Sequence, residues 1–237
     1  MVQEFFRVTG RDPDAAEATE ATGATGAIEA IEAMQAQSAE PVASSPLQDL
    51  LRRRRTSRRF SAGPMSSEQL SRLLRAALGP VGDGRRSVPS AHARYPLSLA
   101  VVVGGVDGLP AGVYRYDADA DAVSRRTAGD RRRDFAAGSF VDEDWLAGAA
   151  ALVVIGADLG AAARDFADQP PDRGERYVWL EAGHLSQNLY LQAAEEELGA
   201  ALVAGVDDER LREAAHDALP EGHLPLALFA VGPATDR

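Results

Sequence analysis

The sequence predicts a single α+β domain, because helical and strand patterns intermix without a regular strand–helix–strand period or an internal repeat. Short apolar runs at Leu97–Val103, Ala150–Ala157 and Leu224–Val231 predict buried strands. A longer segment, Arg176–Ala194, is apolar or small on most sides at helical spacing. It predicts a long helix that is buried around much of its circumference, in the middle of a domain core or a dimer.

Residues 1–45 are expected to form a low-complexity, disordered tail, and the folded domain is expected to cover residues 46–237. The stretch Ala18–Gly26 repeats Ala, Thr and Gly, and large apolar side chains are few before Pro46. A transient helix at Ala27–Met34 that binds a partner remains open as an alternative.

Two helices are expected at the start of the domain. Leucines at helical spacing begin the first helix near Pro46, and it runs toward the arginines that follow. Ser66 and Gln69 have the spacing of a capping box, and Gly79–Pro80 ends the second helix. The buried stripe of this second helix is expected to consist of Leu70, Leu73, Leu74, Ala77 and Leu78.

The rest of the chain supplies a hairpin and a final group of elements. The segments Gly112–Asp117 and Ala122–Arg126 flank a turn-rich stretch and predict a β-hairpin. Residues 131–145 and 158–174 are expected to be irregular with short helical pieces. A strand at Ala200–Ala204 and a helix from Asp207 to about Leu219 precede the last strand.

The composition excludes several functions. There is no cysteine, so disulfides, thiol catalysis and thiolate metal sites are excluded. The net charge of −11 disfavours a protein that coats nucleic acid or an anionic membrane. No apolar run approaches membrane-spanning length, and no secretory signal pattern opens the chain, so we expect a cytoplasmic protein.

A local reversal of this charge occurs at residues 52–59. Six of these eight residues are arginine, although the whole chain is acidic and contains no lysine. Because the arginine fork pairs bidentately with phosphate, the cluster is a candidate phosphate cradle. A solvated basic face that contacts acidic residues is an equal alternative. No Gly-x-Gly-x-x-Gly motif follows a strand and no Walker sequence is present, which excludes Rossmann-type and P-loop phosphate binding.

Histidine offers no metal or hydrolase site. His92, His184, His216 and His223 lack ligand spacing, and no Gly-x-Ser-x-Gly elbow is present. We therefore expect no metal. His184 is interpreted as a core histidine whose hydrogen bonds are satisfied, like Glu181 and its polar neighbours on the long helix.

The order of several motifs resembles the nitroreductase superfamily over residues 46–233, in particular the SagB-type dehydrogenases of thiazole/oxazole-modified peptides. The motifs, in order, are Arg-Arg-Thr-Ser-Arg-Arg-Phe, an amphipathic helix, Pro-Ser-Ala-x-Ala-x-Tyr-Pro-Leu, Gly-Val-Tyr-x-Tyr-Asp, Arg-Tyr with Glu-Ala-Gly-His-x-x-Gln-Asn, and Gly-Val-Asp-Asp. The resemblance implies a nitroreductase-like fold with a mixed central sheet flanked by helices, an FMN cofactor, and a homodimer with the flavin at the subunit interface.

The resemblance also implies roles for particular residues. The FMN phosphate and ribityl chain would be held by Arg54, Arg55, Thr56 and Arg58. The isoalloxazine ring would lie along Pro89, Ser90 and Ala91, and the backbone N–H of Gly205 would approach flavin N5.

Arg176 and Tyr177 take the place of a Lys-Tyr pair that resembles the one near the substrate in the peptide-modifying enzymes. Tyr177 would act as an acid or base if the neighbouring Arg176 lowered its pKa. Tyr177 as an ordinary aromatic residue at a helix start is the alternative. Arginine cannot give up its proton as lysine can, which sets this chain apart from azoline oxidation.

The expected activity is hydride transfer through flavin N5, to or from a small molecule or a modified peptide, with NAD(P)H or oxygen as the electron partner. The chain departs from the family pattern at four places. They are His92, Glu196–Glu197, Ala204 with Val206 around Gly205, and Gly232–Pro233. These departures motivate a different class of function, a flavin-free binding or scaffold subunit. A basic-patch nucleic-acid binder is disfavoured by few aromatics and by the net charge.

Overall fold

The computed structural model describes residues 44–140 and 143–235. The predicted tail, with its possible helix at Ala27–Met34, therefore lies outside the described residues except for its last two positions. Seven α-helices occur in the described ranges. They are α1 (Pro46–Arg53), α2 (Ser67–Leu78), α3 (Arg132–Ala136), α4 (Glu143–Ala147), α5 (Leu159–Asp165), α6 (Arg173–Glu195) and α7 (Asp208–Ala215).

Ten strands occur in the described ranges, and the six longer ones fall where the sequence analysis predicts strands. Four are very short: β1 (Met65–Ser66), β2 (Pro80–Gly82), β3 (Arg85–Arg86) and β5 (Val106–Asp107). The other six form the central sheet: β4 (Leu97–Val103), β6 (Gly112–Asp117), β7 (Ala122–Ala128), β8 (Ala151–Ala157), β9 (Gly199–Val203) and β10 (Leu224–Gly232). Their spatial order is β7-β6-β4-β8-β10-β9.

The central sheet is antiparallel at every pairing, which corrects the expected mixed sheet. Strands β8 and β9 run in the same direction and are joined through α5 and α6, as in a parallel crossover. The last strand, β10, lies between them and pairs antiparallel with both. The one parallel ladder in the described ranges joins β1 to β5.

Both faces of the sheet are covered by helices. Alternate residues of β4 enter two different clusters: Leu99 and Val101 pack with α2 and α6, whereas Ala100 and Val102 pack with α3, α4 and α7. Because both faces are buried, β4 is apolar throughout and shows no alternation with polar residues. The α+β fold with a sheet flanked by helices is therefore confirmed.

The N-terminus of α2 shows how local chemistry fixes an element. The Ser66 side chain accepts a hydrogen bond from the Gln69 backbone N–H, and the Gln69 side chain accepts one from the Ser66 backbone N–H. Both predicted halves of the capping box are thus formed. The five apolar residues predicted for its stripe are all buried.

The long helix α6 is buried on one face only. Val178, Leu185 and Leu189 pack in the core, but Trp179 and Leu180 keep 46% and 61% of their surface exposed. Within one chain the helix is therefore buried on one face, and burial of the opposite face in a dimer, the other expected setting, stays a prediction. His184 lies on this face, which no other part of the described chain covers, and is exposed in the single chain. None of the described helices is long and apolar enough to span a bilayer.

Two departures from the family pattern coincide with left-handed backbone. His92 has φ 51° and Glu197 has φ 55°. A side chain at such a position costs about 1–2 kcal/mol, whereas glycine adopts it freely. The chain therefore carries backbone strain at both places.

We expect Glu197→Gly to stabilise the protein by about 0.5–1 kcal/mol, because the relief of left-handed strain exceeds the added entropy of the unfolded chain. The free energy of unfolding in urea measures the effect. Ala194→Gly is the matched control within α6, where glycine should destabilise by about 0.5–1 kcal/mol. A loss of stability at both positions would show that position 197 is not strained.

Candidate functional site

The arginine cluster leaves α1 as a loop that is tied to β9 and α6. The Ser57 backbone N–H donates to the Ala200 carbonyl at 2.8 Å. The Thr56 hydroxyl lies 3.3 Å from the Tyr190 hydroxyl, which also accepts from the Leu202 backbone N–H at 2.8 Å. The Arg54 guanidinium lies over the Tyr190 ring, 5.4 Å from its centre. The loop therefore has a defined position at the start of β9.

The charges of this loop are not neutralised by neighbours. Arg52 pairs with Asp49, and Arg53 pairs with Glu195. By contrast, Arg54, Arg55, Arg58 and Arg59 form no ion pair within the described ranges. Most other arginines before residue 135 have a carboxylate partner, so this group of unpaired guanidinium groups stands out in an acidic protein.

A cleft of about 480 Å³ adjoins the arginine loop. Its lining combines positive charge with small residues that let a ligand approach the backbone: Arg52, Arg53, Arg55, Ser57, Tyr190, Ala193, Ala194, Glu197, Leu198, Gly199, Ala200 and Ala234. The carboxylate of Glu197 is an unfavourable neighbour for an anion, but its side chain is exposed and screened. The cleft suits a phosphate group.

Gly205 lies just beyond the other end of β9, roughly 15 Å from Ala200 at the usual rise of a strand. Its carbonyl accepts from the Phe140 backbone N–H at 2.9 Å, and a Cβ added there would meet only the Phe140 ring, at 3.9 Å. Arg58 lies 6.0 Å from the centre of the Trp145 ring. The predicted phosphate group and the predicted N5 contact are thus aligned along one strand.

The Pro89–Ala91 segment forms a second group with the first half of α6. The Ser90 hydroxyl accepts from the Tyr95 backbone N–H at 2.8 Å. Ser90 and Ala91 line a small enclosed cavity together with Phe166, Tyr177 and Glu181. The cavity measures only about 10 Å³, close to the lower limit for one water molecule.

Tyr177 is held by contacts that the sequence did not reveal. Its hydroxyl donates to the Gln169 side-chain oxygen at 2.9 Å, and its ring lies edge-on to Phe166 at 4.7 Å. Phe166 in turn contacts the His92 ring at 5.3 Å. Arg176 is exposed, and successive helical residues point about 100° apart. Tyr177 is therefore positioned by Gln169 and Phe166, on a different side of α6 from Arg176.

Glu181 is the one buried carboxylate of this second group. It is 2% exposed, and its Oε1 atom has no hydrogen-bond partner among the described residues. Burial raises the pKa of Glu181 to about 7, while the nearby Ser90 hydroxyl and the charge of Arg86 act in the opposite direction. The sequence had suggested only a structural hydrogen-bonding position here.

The arginine loop and the group around Pro89–Ala91 do not meet within one chain. Glu181 and Tyr190 are nine residues apart on α6, which places them on opposite flanks of the helix and about 14 Å apart along its axis. The exposed face that carries Leu180 and His184 lies between these flanks. The structure therefore brings Arg54, Arg55 and Thr56 together, and separately Ser90 with Tyr177, but it leaves these sets apart.

Two further departures have structural explanations. Arg72 forms a bidentate ion pair with Glu196, whose pKa it holds below the usual range. Pro233 contributes its carbonyl as the acceptor for the Ser61 backbone N–H at 2.8 Å. The acidic helix end is thus compensated, and the shortened Gly232–Pro233 ending still anchors the loop that follows the arginines.

Sequence reasoning missed Gln169, Phe166 and Tyr190. Gln169 and Phe166 reach Tyr177 from the segment before α6, and only the fold shows that this segment folds back onto the helix. Tyr190 carried a usable signal, because an aromatic hydroxyl on a buried helix needs a hydrogen-bond partner.

The fold is that of the nitroreductases: an α+β structure in which a helix-covered sheet and a long helix position an arginine loop. The chain belongs to the Nitroreductase family, whose model matches residues 51–233. It is accordingly an oxidoreductase of that family.

Known relatives agree with this assignment. A nitroreductase-family protein of Methanocaldococcus jannaschii is 34% identical over 187 residues, which cover 78% of this chain and 90% of the relative. A nitroreductase-family crystal structure from Ralstonia eutropha is 28% identical with a TM-score of 0.65, covering 84% of this chain and 88% of that one. A chain of the Escherichia coli microcin synthetase McbBCD complex, bound to truncated pro-MccB17, shares the fold at 22% identity and a TM-score of 0.66, covering 84% and 76%.

The raised pKa of Glu181 predicts a pH-dependent cost to stability. The folded state binds the proton more tightly than the unfolded state, so stability falls as pH rises from the unfolded value toward about 7. Glu181→Gln removes this penalty. The unfolding free energy of the variant minus that of wild type should therefore increase by up to about 3 kcal/mol from acid to alkaline solution. Urea denaturation of both proteins at several pH values measures the difference, and parallel pH profiles would contradict it.

Proposed function

We propose that this protein is an FMN-dependent oxidoreductase that transfers hydride through flavin N5, to or from a small molecule or a modified peptide. The observation that carries the proposal is a run of guanidinium groups without ion pairs in the described ranges, at Arg54, Arg55 and Arg58, of which Arg55 lines a cleft of about 480 Å³. In a chain of net charge −11, such a group favours an anionic ligand. The phosphate of FMN supplies that charge.

The residues present fit the cofactor. Arg54, Arg55 and Thr56 offer charged and neutral donors for a phosphate at the start of β9, and Gly205 lies in the open at its other end. Among the described residues a side chain at Gly205 would meet only the Phe140 ring, so the described part of the chain leaves room for a flat ligand there. A bound flavin would supply the hydride chemistry, and these residues would bind and orient it.

The Pro89–Ala91 segment would serve the flavin of a partner subunit. The two half-sites flank the exposed face of α6, where Trp179 and Leu180 are unusually exposed for large apolar residues. A second copy packed on this face by two-fold symmetry would bring the Tyr190 flank of α6 in one chain to the Glu181 flank of α6 in the other. The proposed homodimer thus completes two flavin sites, each with an arginine loop from one chain and Pro89–Ala91 from its partner.

Tyr177 is the proposed catalytic residue for proton transfer to or from substrate. It is half-buried beside Ser90 and Ala91, and Gln169 fixes the direction of its hydroxyl. Arg176, at the preceding position, is exposed. It is placed to contact the substrate or the partner subunit rather than Tyr177. The pair favours an enzyme similar to the SagB-type dehydrogenases, with arginine in place of lysine. NADH, NADPH and oxygen are the electron partners to compare.

The phosphate assignment is tested by an Arg54→Ala, Arg55→Ala double variant. Loss of two charge-assisted contacts should weaken FMN binding by at least about 100-fold while the fold is retained. Flavin fluorescence quenching measures the affinity, and circular dichroism checks the fold. The matched control is Arg125→Ala, Arg126→Ala on β7, which removes the same charge from an exposed edge strand.

Unchanged FMN affinity in the Arg54, Arg55 variant would place the phosphate elsewhere. A wild type that is colourless and takes up no FMN would overturn the enzyme assignment. It would favour the alternative of a flavin-free scaffold subunit.

The shared site is tested by subunit complementation. The Arg54, Arg55 variant loses one half-site, and Ala91→Arg blocks the other with a bulky charge. Neither should bind FMN alone, but equal mixing during refolding gives about half heterodimers, so about a quarter of all sites should be intact. Flavin content per chain is the measurement.

The control for complementation adds Leu180→Glu to both variants, which places a charge on the exposed face of α6 and should prevent pairing. No recovery of flavin in the mixture without Leu180→Glu would contradict a site shared between subunits.

A further inference from the structure

A buried carboxylate remains without a role in the proposed site. Glu181 belongs to neither the phosphate group nor the proposed catalytic pair, yet it is almost completely buried and leaves Oε1 unpartnered. Burying an unsatisfied carboxylate is costly, so its presence requires a compensating interaction. The cavity that it lines is too small for a substrate, at about 10 Å³. Glu181 can therefore act on a ligand only through a neighbour.

Ser90 is the neighbour that lines the same small cavity as Glu181, and its hydrogen bonding is incompletely fixed. A hydroxyl has one donor and two acceptor positions. One acceptor position is filled by the Tyr95 backbone N–H at 2.8 Å. An ionised Glu181 can only accept, so it holds the Ser90 hydrogen toward itself. A protonated Glu181 can donate to the second acceptor position of Ser90, which leaves the Ser90 hydrogen free.

We propose that Glu181 is a positioning residue that sets the direction of the Ser90 hydroxyl, and thereby makes flavin binding depend on pH. The inference rests on the proposed function, since Ser90 lies in the segment assigned to the isoalloxazine ring. That ring carries carbonyl oxygens and nitrogens that accept hydrogen bonds. With Glu181 protonated, Ser90 donates to the ring; with Glu181 ionised, that hydrogen bond is lost.

The charged and titratable groups around Glu181 are few. Arg86 of β3 acts on its charge, and Arg94 after the Ala91–Ala93 turn lines the same cavity. Tyr177 of α6 also lines the cavity and donates to Gln169. His92 is exposed and contacts Phe166, so the test includes a variant of this histidine.

The test compares FMN affinity of wild type and Glu181→Gln by fluorescence quenching between about pH 5.5 and pH 8.5. The amide of glutamine donates to Ser90 permanently and so imitates the protonated carboxyl. Across this range, wild-type affinity should fall about five- to tenfold relative to the variant, the effect of one lost hydrogen bond. Because both proteins bind the same ligand, titration of the FMN phosphate near pH 6 cancels in the ratio.

Three further variants make the result specific. Ser90→Ala should bind FMN weakly and remove the pH dependence that is due to Glu181, even if Glu181→Gln folds poorly. His92→Asn tolerates the left-handed backbone and should keep the wild-type profile. Glu196→Gln removes a carboxylate that pairs with Arg72 away from Ser90, and it should also keep that profile.

The possible failures are distinguishable. A wild type that binds FMN with the same pH profile as Glu181→Gln overturns this inference and leaves the proposed function intact. Loss of the pH dependence in His92→Asn assigns the effect to the histidine and overturns it as well. A wild type that binds no flavin at any pH overturns both the proposed function and the inference.

Discussion

The packing of α6 on the central sheet is the constraint on which the rest of the structure depends. Val178, Leu185 and Leu189 fix this helix in the core, and its two flanks then carry everything else that the site needs. One flank holds Tyr190, which supports the arginine loop through Thr56 and Arg54. The other carries Tyr177 and Glu181 beside Ser90. A shift of the helix would therefore move both half-sites together.

Most of the fold could be predicted because its elements are defined by local patterns. The capping box at Ser66, the apolar run of β4 and the helical spacing of α6 each depend on neighbouring residues. The direction of the strands in the sheet does not, since β10 comes from far along the chain and inserts between β8 and β9. The same limit applies to α6, whose periodicity could not show which apolar face stays uncovered in the single chain. This limit explains the error on the mixed sheet.

The candidate site was predictable where charge or motif order marks it. Arg54 and its neighbours stand out in any reading of an acidic chain. Glu181 was visible as a polar residue on a buried helix, but its raised pKa depends on its burial, which a sequence does not show. Gln169 had no signal at all, because a loop glutamine gains a role only when the chain returns to Tyr177.

The two left-handed positions among the departures, His92 and Glu197, affect the proposed site in different ways. His92 and Glu197 have left-handed backbone although neither is glycine, so the path of the chain at both half-sites is set by the surrounding packing rather than by the local residue. His92 gains a contact with Phe166, which also packs on Tyr177 and so gives the strained residue a supporting role. Glu197 is exposed at the edge of the cleft, and its carboxylate opposes the arginines beside it. The two substitutions therefore differ in kind: one adds support to the proposed catalytic tyrosine, whereas the other reduces the positive charge available to a phosphate.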